Sequence, residues 1–173
     1  MPSRDEGRIR RWALLAIMLA CALVLGLVER ALPPIGALPG VRLGLPNVAI
    51  LLALYLFPFP QALALTLGKC VLLALLTGSF TSLLYSLAGS LLALGAMTPL
   101  VRFSRGRVGT MGVSVVGAVC HNMGQLLCAS ALMQTFLFPY LPLLLAAGAM
   151  AGAAVGLVVA VVLPRIKPVW KPG

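Results

Sequence analysis

The sequence predicts an all-α integral membrane protein of six transmembrane helices, and three observations carry that prediction. The chain of 173 residues is 61% hydrophobic and only 9% charged, whereas a water-soluble domain devotes roughly a quarter of its residues to charge. Its apolar residues fall into successive runs, most long enough to cross about 30 Å of hydrocarbon, and proline, glycine or basic residues close each run. Between residues 12 and 163, apart from a basic cluster at 102–107, formal charge is confined to Glu29, Arg30, Arg42 and Lys69, with His121 the single histidine. Lipid is therefore the solvent for most of the chain, as one membrane domain over residues 1–173.

The runs place helices near 12–32, 46–57, 60–77, 80–100, 109–136 and 140–163. The first follows Arg4, Arg8, Arg10 and Arg11, a pattern shared with secretory signals. Its apolar run is longer than a signal core, however, and no small-x-small site precedes Glu29-Arg30, so an uncleaved span is expected. Within it Ala16 and Ala20 form a small-xxx-small pair, which suits either internal packing or contact with a partner helix.

Residues 33–46 hold four prolines and three glycines. Proline removes a backbone donor and glycine weakens helix propensity, so this segment is expected to form an extracellular loop. The second span that follows is short: Leu43 to Phe57 reaches about 22 Å, less than the hydrocarbon thickness. Either the bilayer thins or irregular backbone lies at membrane depth, where it must be buried in protein or line a cavity.

The later spans are bounded by Pro58 and Pro60, by Thr77-Gly78-Ser79, by the loop at 102–109, and by Pro139 with Pro142. Gly148, Gly152 and Gly156 repeat every four residues in the last span and give it a flat face for close helix approach.

Orientation follows from the basic residues, which accumulate on the cytoplasmic side. With the N-terminus inside, ten Lys and Arg residues lie in inner segments and only Arg30 and Arg42 in outer ones. Both termini are thus expected in the cytoplasm, with the chain multi-pass in the plasma membrane and in contact with its lipid. The formal charge of +10 reports this orientation, and no nucleic-acid partner is expected. Cys21, Cys70, Cys120 and Cys128 sit in apolar runs without CxxC spacing, which argues against a disulfide framework or a zinc site. No cofactor or metal is expected. The chain lacks a GxxxxGK[ST] phosphate loop, and one histidine cannot supply a bis-histidine haem.

Polar side chains inside spans mark where function could lie, because a charge at a span centre costs about 2.5–3.5 kcal/mol. Lys69 stands near the middle of the third span and needs either a substrate or a partner such as Glu29. His121 and Gln125 lie four residues apart on one face of the fifth span, with Asn122 beside them. They either fix helix packing or hold a polar ligand. Tyr85 presents an amphipathic ring in the outer part of the fourth span, whose serines can bond to their own backbone and say little. Glu29, Arg42, Asn47, Lys69, Tyr85, His121, Asn122 and Gln125 are the candidate substrate-binding residues. Arg42 and Asn47 either touch the ligand or lock the loop. Basic groups outnumber Glu29, which favours an anionic or carbonyl-rich ligand.

Three strings in order, Pro39-Gly40-Val41-Arg42-Leu43-Gly44-Leu45-Pro46-Asn47, Gly78-Ser79 with Leu84-Tyr85-Ser86-Leu87-Ala88-Gly89, and Gly117-Ala118-Val119-Cys120-His121-Asn122-Met123-Gly124-Gln125, resemble the heptaprenyl diphosphate synthase component I family, also called the Gx transporter family. The resemblance runs from about Leu23 to Leu163. It implies kinship with the substrate-binding S components of energy-coupling-factor (ECF) vitamin transporters: six helices, a ligand site under the first extracellular loop, and work beside a scaffold subunit and two ATPases. Ala16 and Ala20 match the scaffold-contact pattern of such subunits, which are expected to topple in the membrane to release substrate.

The synthase name fits an auxiliary membrane subunit at most. Prenyl chain elongation needs paired acidic motifs for magnesium diphosphate, and Asp5, Glu6 and Glu29 are the chain's only acids. A third reading, from relatives tied to flavin-based extracellular electron transfer, would set a quinone carbonyl against the His121 cluster. Under each reading the chain is not an enzyme in its own right.

Overall fold

The computed structural model of the protein describes residues 4–31, 44–104 and 107–167. Six α-helices follow in order: α1 (Arg4–Ala31), α2 (Asn47–Leu56), α3 (Phe59–Thr77), α4 (Phe80–Phe103), α5 (Thr110–Met133) and α6 (Leu141–Ile166), with a 3₁₀ turn at Phe138–Tyr140 before the last. Five of them are long and apolar enough to cross a membrane, and the chain is a membrane protein. The sixth, α2, is not: its 10 residues rise only about 15 Å.

That shortness is resolved by where α2 sits. Eight of its ten residues, from Asn47 to Leu56, are buried, and it touches α1, α3, α4 and α6. A helix wrapped by protein need not reach either membrane surface. Before it, Gly44 adopts φ +81°, and its carbonyl accepts from Asn47 N–H at 2.9 Å. A side chain there would strain the backbone and strike the Asn47 amide.

The helix ends follow local chemistry. At the end of α3, Gly78 takes the left-handed conformation at φ 61°. Its N–H reaches Leu75 O while Ser79 N–H reaches Ala74 O, the paired bonds of a Schellman stop. Ser79 then caps α4 by accepting from Ser82 N–H at 3.2 Å. Two helices thus meet in a two-residue turn.

Four expected boundaries shift by three residues or more, among them the end of α6, which runs past Pro164 to Ile166 instead of stopping at residue 163. α1 starts at Arg4 instead of residue 12, because its charged first turns continue the helix with an exposed Asp5–Arg8 pair at 3.2 Å. α4 runs on past Pro99 to Phe103. α5 ends at Met133 instead of residue 136, since Gln134 turns left-handed at φ 49° and Thr135 N–H bonds back to Ser130 O. Glutamine seldom takes that conformation, so the residue type gives no signal of the stop.

α5 is the axis of the bundle, with its most extensive contacts to α6 and α4. The glycine face of α6 is spent on this packing: an added Cβ at Gly152 would lie 2.8 Å from Val115 Cα, and one at Gly156 would lie 2.5 Å from Met111 Cα. Between α4 and α5, a Cβ at Gly124 would meet Ala88 O at 2.6 Å. Ala16 and Ala20 on α1 are exposed.

Two apolar clusters divide the bundle along its length. The larger joins Leu51, Leu54, Met97, Val113 and Leu163 with partly buried residues near both the α4–α5 link and the end of α6. The smaller joins Tyr85, Leu126, Ala129, Leu137 and Leu144 at the opposite end. At the first end, Arg102 donates to Phe57 O at 2.7 Å, tying α4 to the turn after α2. At the second, Arg30 donates to Ser82 Oγ, tying α1 to the start of α4. A polar layer lies between the two clusters.

Candidate functional site

The polar layer is assembled from four helices. α1 contributes Glu29, α3 Lys69, α4 Ser90 with Tyr85 nearby, and α5 His121, Asn122 and Gln125; each of these side chains is at least nine-tenths buried. Glu29, Lys69, Tyr85, His121 and Gln125 line one cavity, together with Gly44 at the start of α2. The cavity measures about 30 Å³, room for a water molecule or two.

Lys69 is 2% exposed, so it does not snorkel to a surface. Its Nζ donates to Ser90 Oγ at 2.7 Å, and the Glu29 carboxylate is near enough to interact with it electrostatically. Glu29 also accepts from Gly44 N–H at 2.5 Å. This bond places a carboxylate beside the amino end of α2, where the helix dipole favours negative charge. It also supplies an acceptor for a loop N–H that would otherwise be buried unpaired. Glu29 is thus the group that locks the chain's return into the bundle.

His121 lies between α4 and the start of α2. Gly89 makes room for it: a Cβ at that position would stand 2.9 Å from His121 Cε1 and 2.8 Å from its carbonyl oxygen. The ring is within hydrogen-bonding reach of the Gly89 backbone and close enough to Lys69 to feel its charge, while Nδ1 has no hydrogen-bond partner.

The other candidates are placed differently. Asn122 turns away toward α6, where its Nδ2 donates to Leu144 O at 2.8 Å. Asn47 lines a smaller adjoining cavity with Ser114 and Gly117, and neither its amide nitrogen nor its oxygen has a partner. Arg42 lies outside the described residues. Five of the eight named side chains thus line one cavity, with Asn47 in the adjoining one.

Sequence reasoning passed over the serines of α4. Ser82, Ser86 and Ser90 recur every fourth residue and share one helix face. Arg30 donates to Ser82, Ser86 donates to Cys70 Sγ at 3.2 Å, and Lys69 donates to Ser90. Their spacing was the available signal, since hydroxyls that merely bonded their own helix would need no shared face. Arg30 also lines the cavity with Ser82 and Ser86.

The sequence model of the heptaprenyl diphosphate synthase component I family matches residues 18–162, and the chain belongs to that family. Neither a curated protein nor a solved structure matches it.

Proposed function

We propose that the chain is the solute-binding membrane subunit of an uptake system, comparable to an ECF S component, with both termini in the cytoplasm and the cavity toward the outer face of the plasma membrane. The observation that carries this reading is the cavity itself: charged and hydrogen-bonding side chains from α1, α3, α4 and α5 line one small space inside an apolar helical bundle, and polar groups carried into a membrane are expensive unless they serve a purpose. The gathering of basic residues at the end marked by Arg102 supports the orientation. Transport energy would come from a scaffold with two ATPase subunits, and exposed Ala16 and Ala20 leave α1 able to meet such a scaffold.

The family description supports a second reading, an auxiliary membrane subunit that brings a soluble prenyl diphosphate synthase to the bilayer. One experiment separates the two. A tagged chain is purified in mild detergent from the cell that makes it, and its protein partners and bound small molecules are identified by mass spectrometry. Uptake predicts an ATPase-bearing partner and a bound solute. A soluble prenyl synthase in stoichiometric amount, with no ATPase and no solute, would replace the uptake reading with the second.

A further inference from the structure

We infer that the end of the bundle marked by Arg102 is a docking surface for anionic phospholipid, held by basic side chains from three helices; this is independent of what the internal cavity binds. The first ground is where the charge lies. Leu15 of α1, Val101 of α4, Val108 before α5 and Ile166 of α6 pack on one apolar cluster, so these helix ends stand together. Around them lie Arg8, Arg10 and Arg11, then Arg102 and Arg107, then Arg165 and Lys167, all exposed except the half-buried Arg11. Among the described residues the acids at this end are Asp5 and Glu6, so the surface is strongly basic with both acids counted. The exposed Asp5–Arg8 pair at 3.2 Å does not change this, because such pairs are weak and a guanidinium has five donors to share. Toward the opposite end the described basic residue is Arg30.

The second ground is depth, which selects lipid as the occupant. The apolar run of α1 begins at Trp12, that of α4 stops at Val101 and that of α6 at Leu163. Arg11, Arg102 and Arg165 are therefore the first charged groups past the hydrocarbon-matching stretch of three helices. The headgroup layer on each side of a bilayer is about 5–7 Å deep, roughly one helical turn, and there the lipid phosphates lie. Trp12 is 64% and Phe103 is 79% exposed beside these arginines, aromatic rings of the kind that sit at headgroup level. A soluble partner would meet Arg8 and Lys167 a turn further out, and would have to displace headgroups to reach Arg11.

The third ground is the sign of the headgroup. A zwitterionic lipid brings its own cation beside each phosphate and leaves the basic excess unanswered. A lipid of net negative charge answers it, with a gain of about fivefold in binding for each Lys or Arg near the surface.

The test uses the full chain in mild detergent, titrated with phosphatidylglycerol and phosphatidylcholine of the same acyl chains, and with glycerol phosphate and inorganic phosphate. Bound lipid is counted by native mass spectrometry, and thermal midpoints are recorded alongside. Phosphatidylglycerol should bind at least tenfold more tightly than phosphatidylcholine, and about 0.5 M salt should erase most of that advantage. Neither free phosphate should compete. Replacing Arg11, Arg165 and Lys167 by Gln, one at a time and together, should weaken phosphatidylglycerol about fivefold for each residue and leave phosphatidylcholine unchanged. Equal affinity for the two lipids in the unaltered chain would overturn the inference whether or not the variants fold. A Gln variant that is monodisperse and keeps the full preference would overturn it too. Competition by free phosphate would make the surface a phosphate site. Loss of a co-purifying protein from the Gln variants, with lipid preference intact, would make it a protein-docking surface.

Discussion

The two sides of the cavity are built on different principles. On one side α4, α5 and α6 meet backbone to backbone, with glycines at 124, 152 and 156 so close to the facing helix that an added methyl would overlap main-chain atoms. On the other, leucines stand between α1 and α3: a Cβ added at Gly68 would lie 3.7 Å from Leu19 Cδ2, and one at Gly26 would lie 2.8 Å from the flexible tip of Leu73, a side chain and not backbone. Burial sets α5, with 44% of its apolar window inside the bundle, apart from α1 with 22%, while α3 at 39% is no less buried than α4 and α6. Lipid solvates hydrocarbon as well as leucine does, so the leucine-packed side gains little from association, while the glycine-packed side gains dispersion contact over whole helix faces. The half that carries His121 and Gln125 is the fixed wall. The half that carries Glu29 and Lys69 is the more loosely packed one.

Three substitutions measure how deep this difference goes. The largest effect belongs to Gly156→Val, whose side chain would be driven into Met111 Cα; overpacking against backbone should lower stability by about 3 kcal/mol in thermal unfolding in detergent micelles. Equal tolerance of Val at 156 and at 68 would dissolve the contrast between the halves. Next is Glu29→Ala, which strands the Gly44 N–H inside the bundle and should cost about 1–3 kcal/mol in the same assay. Restoration by Glu29→Gln, whose amide oxygen can still accept, would identify the missing acceptor as the cause. The smallest effect is expected for Gly95→Ala in the middle of α4. Nothing lies within 4 Å of the added methyl, and the gain in helix propensity should raise stability by about 0.5–1 kcal/mol. Destabilisation there would show that the tight packing of α4 reaches beyond Gly89.

Much of this was legible in the chain. Helix number and type followed from apolar runs and their breakers, and Thr77-Gly78-Ser79 marked a turn that forms through the chemistry those residues suggest. The short second helix announced itself by its length, although its restriction to Asn47–Leu56 makes it a buried strut and not a lipid-spanning segment. Lys69, His121 and Gln125 were readable because polar groups in lipid demand explanation. Asn122 was grouped with them by spacing alone, and a helix neighbour one residue away points about 100° elsewhere, here toward Leu144. The glycine repeat of α6 could equally have served an outside partner; its use against α5 depends on which helix lies alongside.

The amino-acid order fixed the solvent, the helices and the list of polar residues that must be hidden from lipid, because hydropathy, proline and glycine act over a few neighbouring residues. It left open the partners of those polar groups. Lys69 was expected beside Glu29 or a substrate; the fold keeps it within electrostatic reach of Glu29 but gives its hydrogen bond to Ser90 and that of the Glu29 carboxylate to Gly44 N–H. Both choices join residues far apart in the chain, set by how closely glycine lets α4, α5 and α6 approach and how loosely leucine spaces α1 and α3. Distances of that kind arise from the packing of whole helices, and no local pattern encodes them.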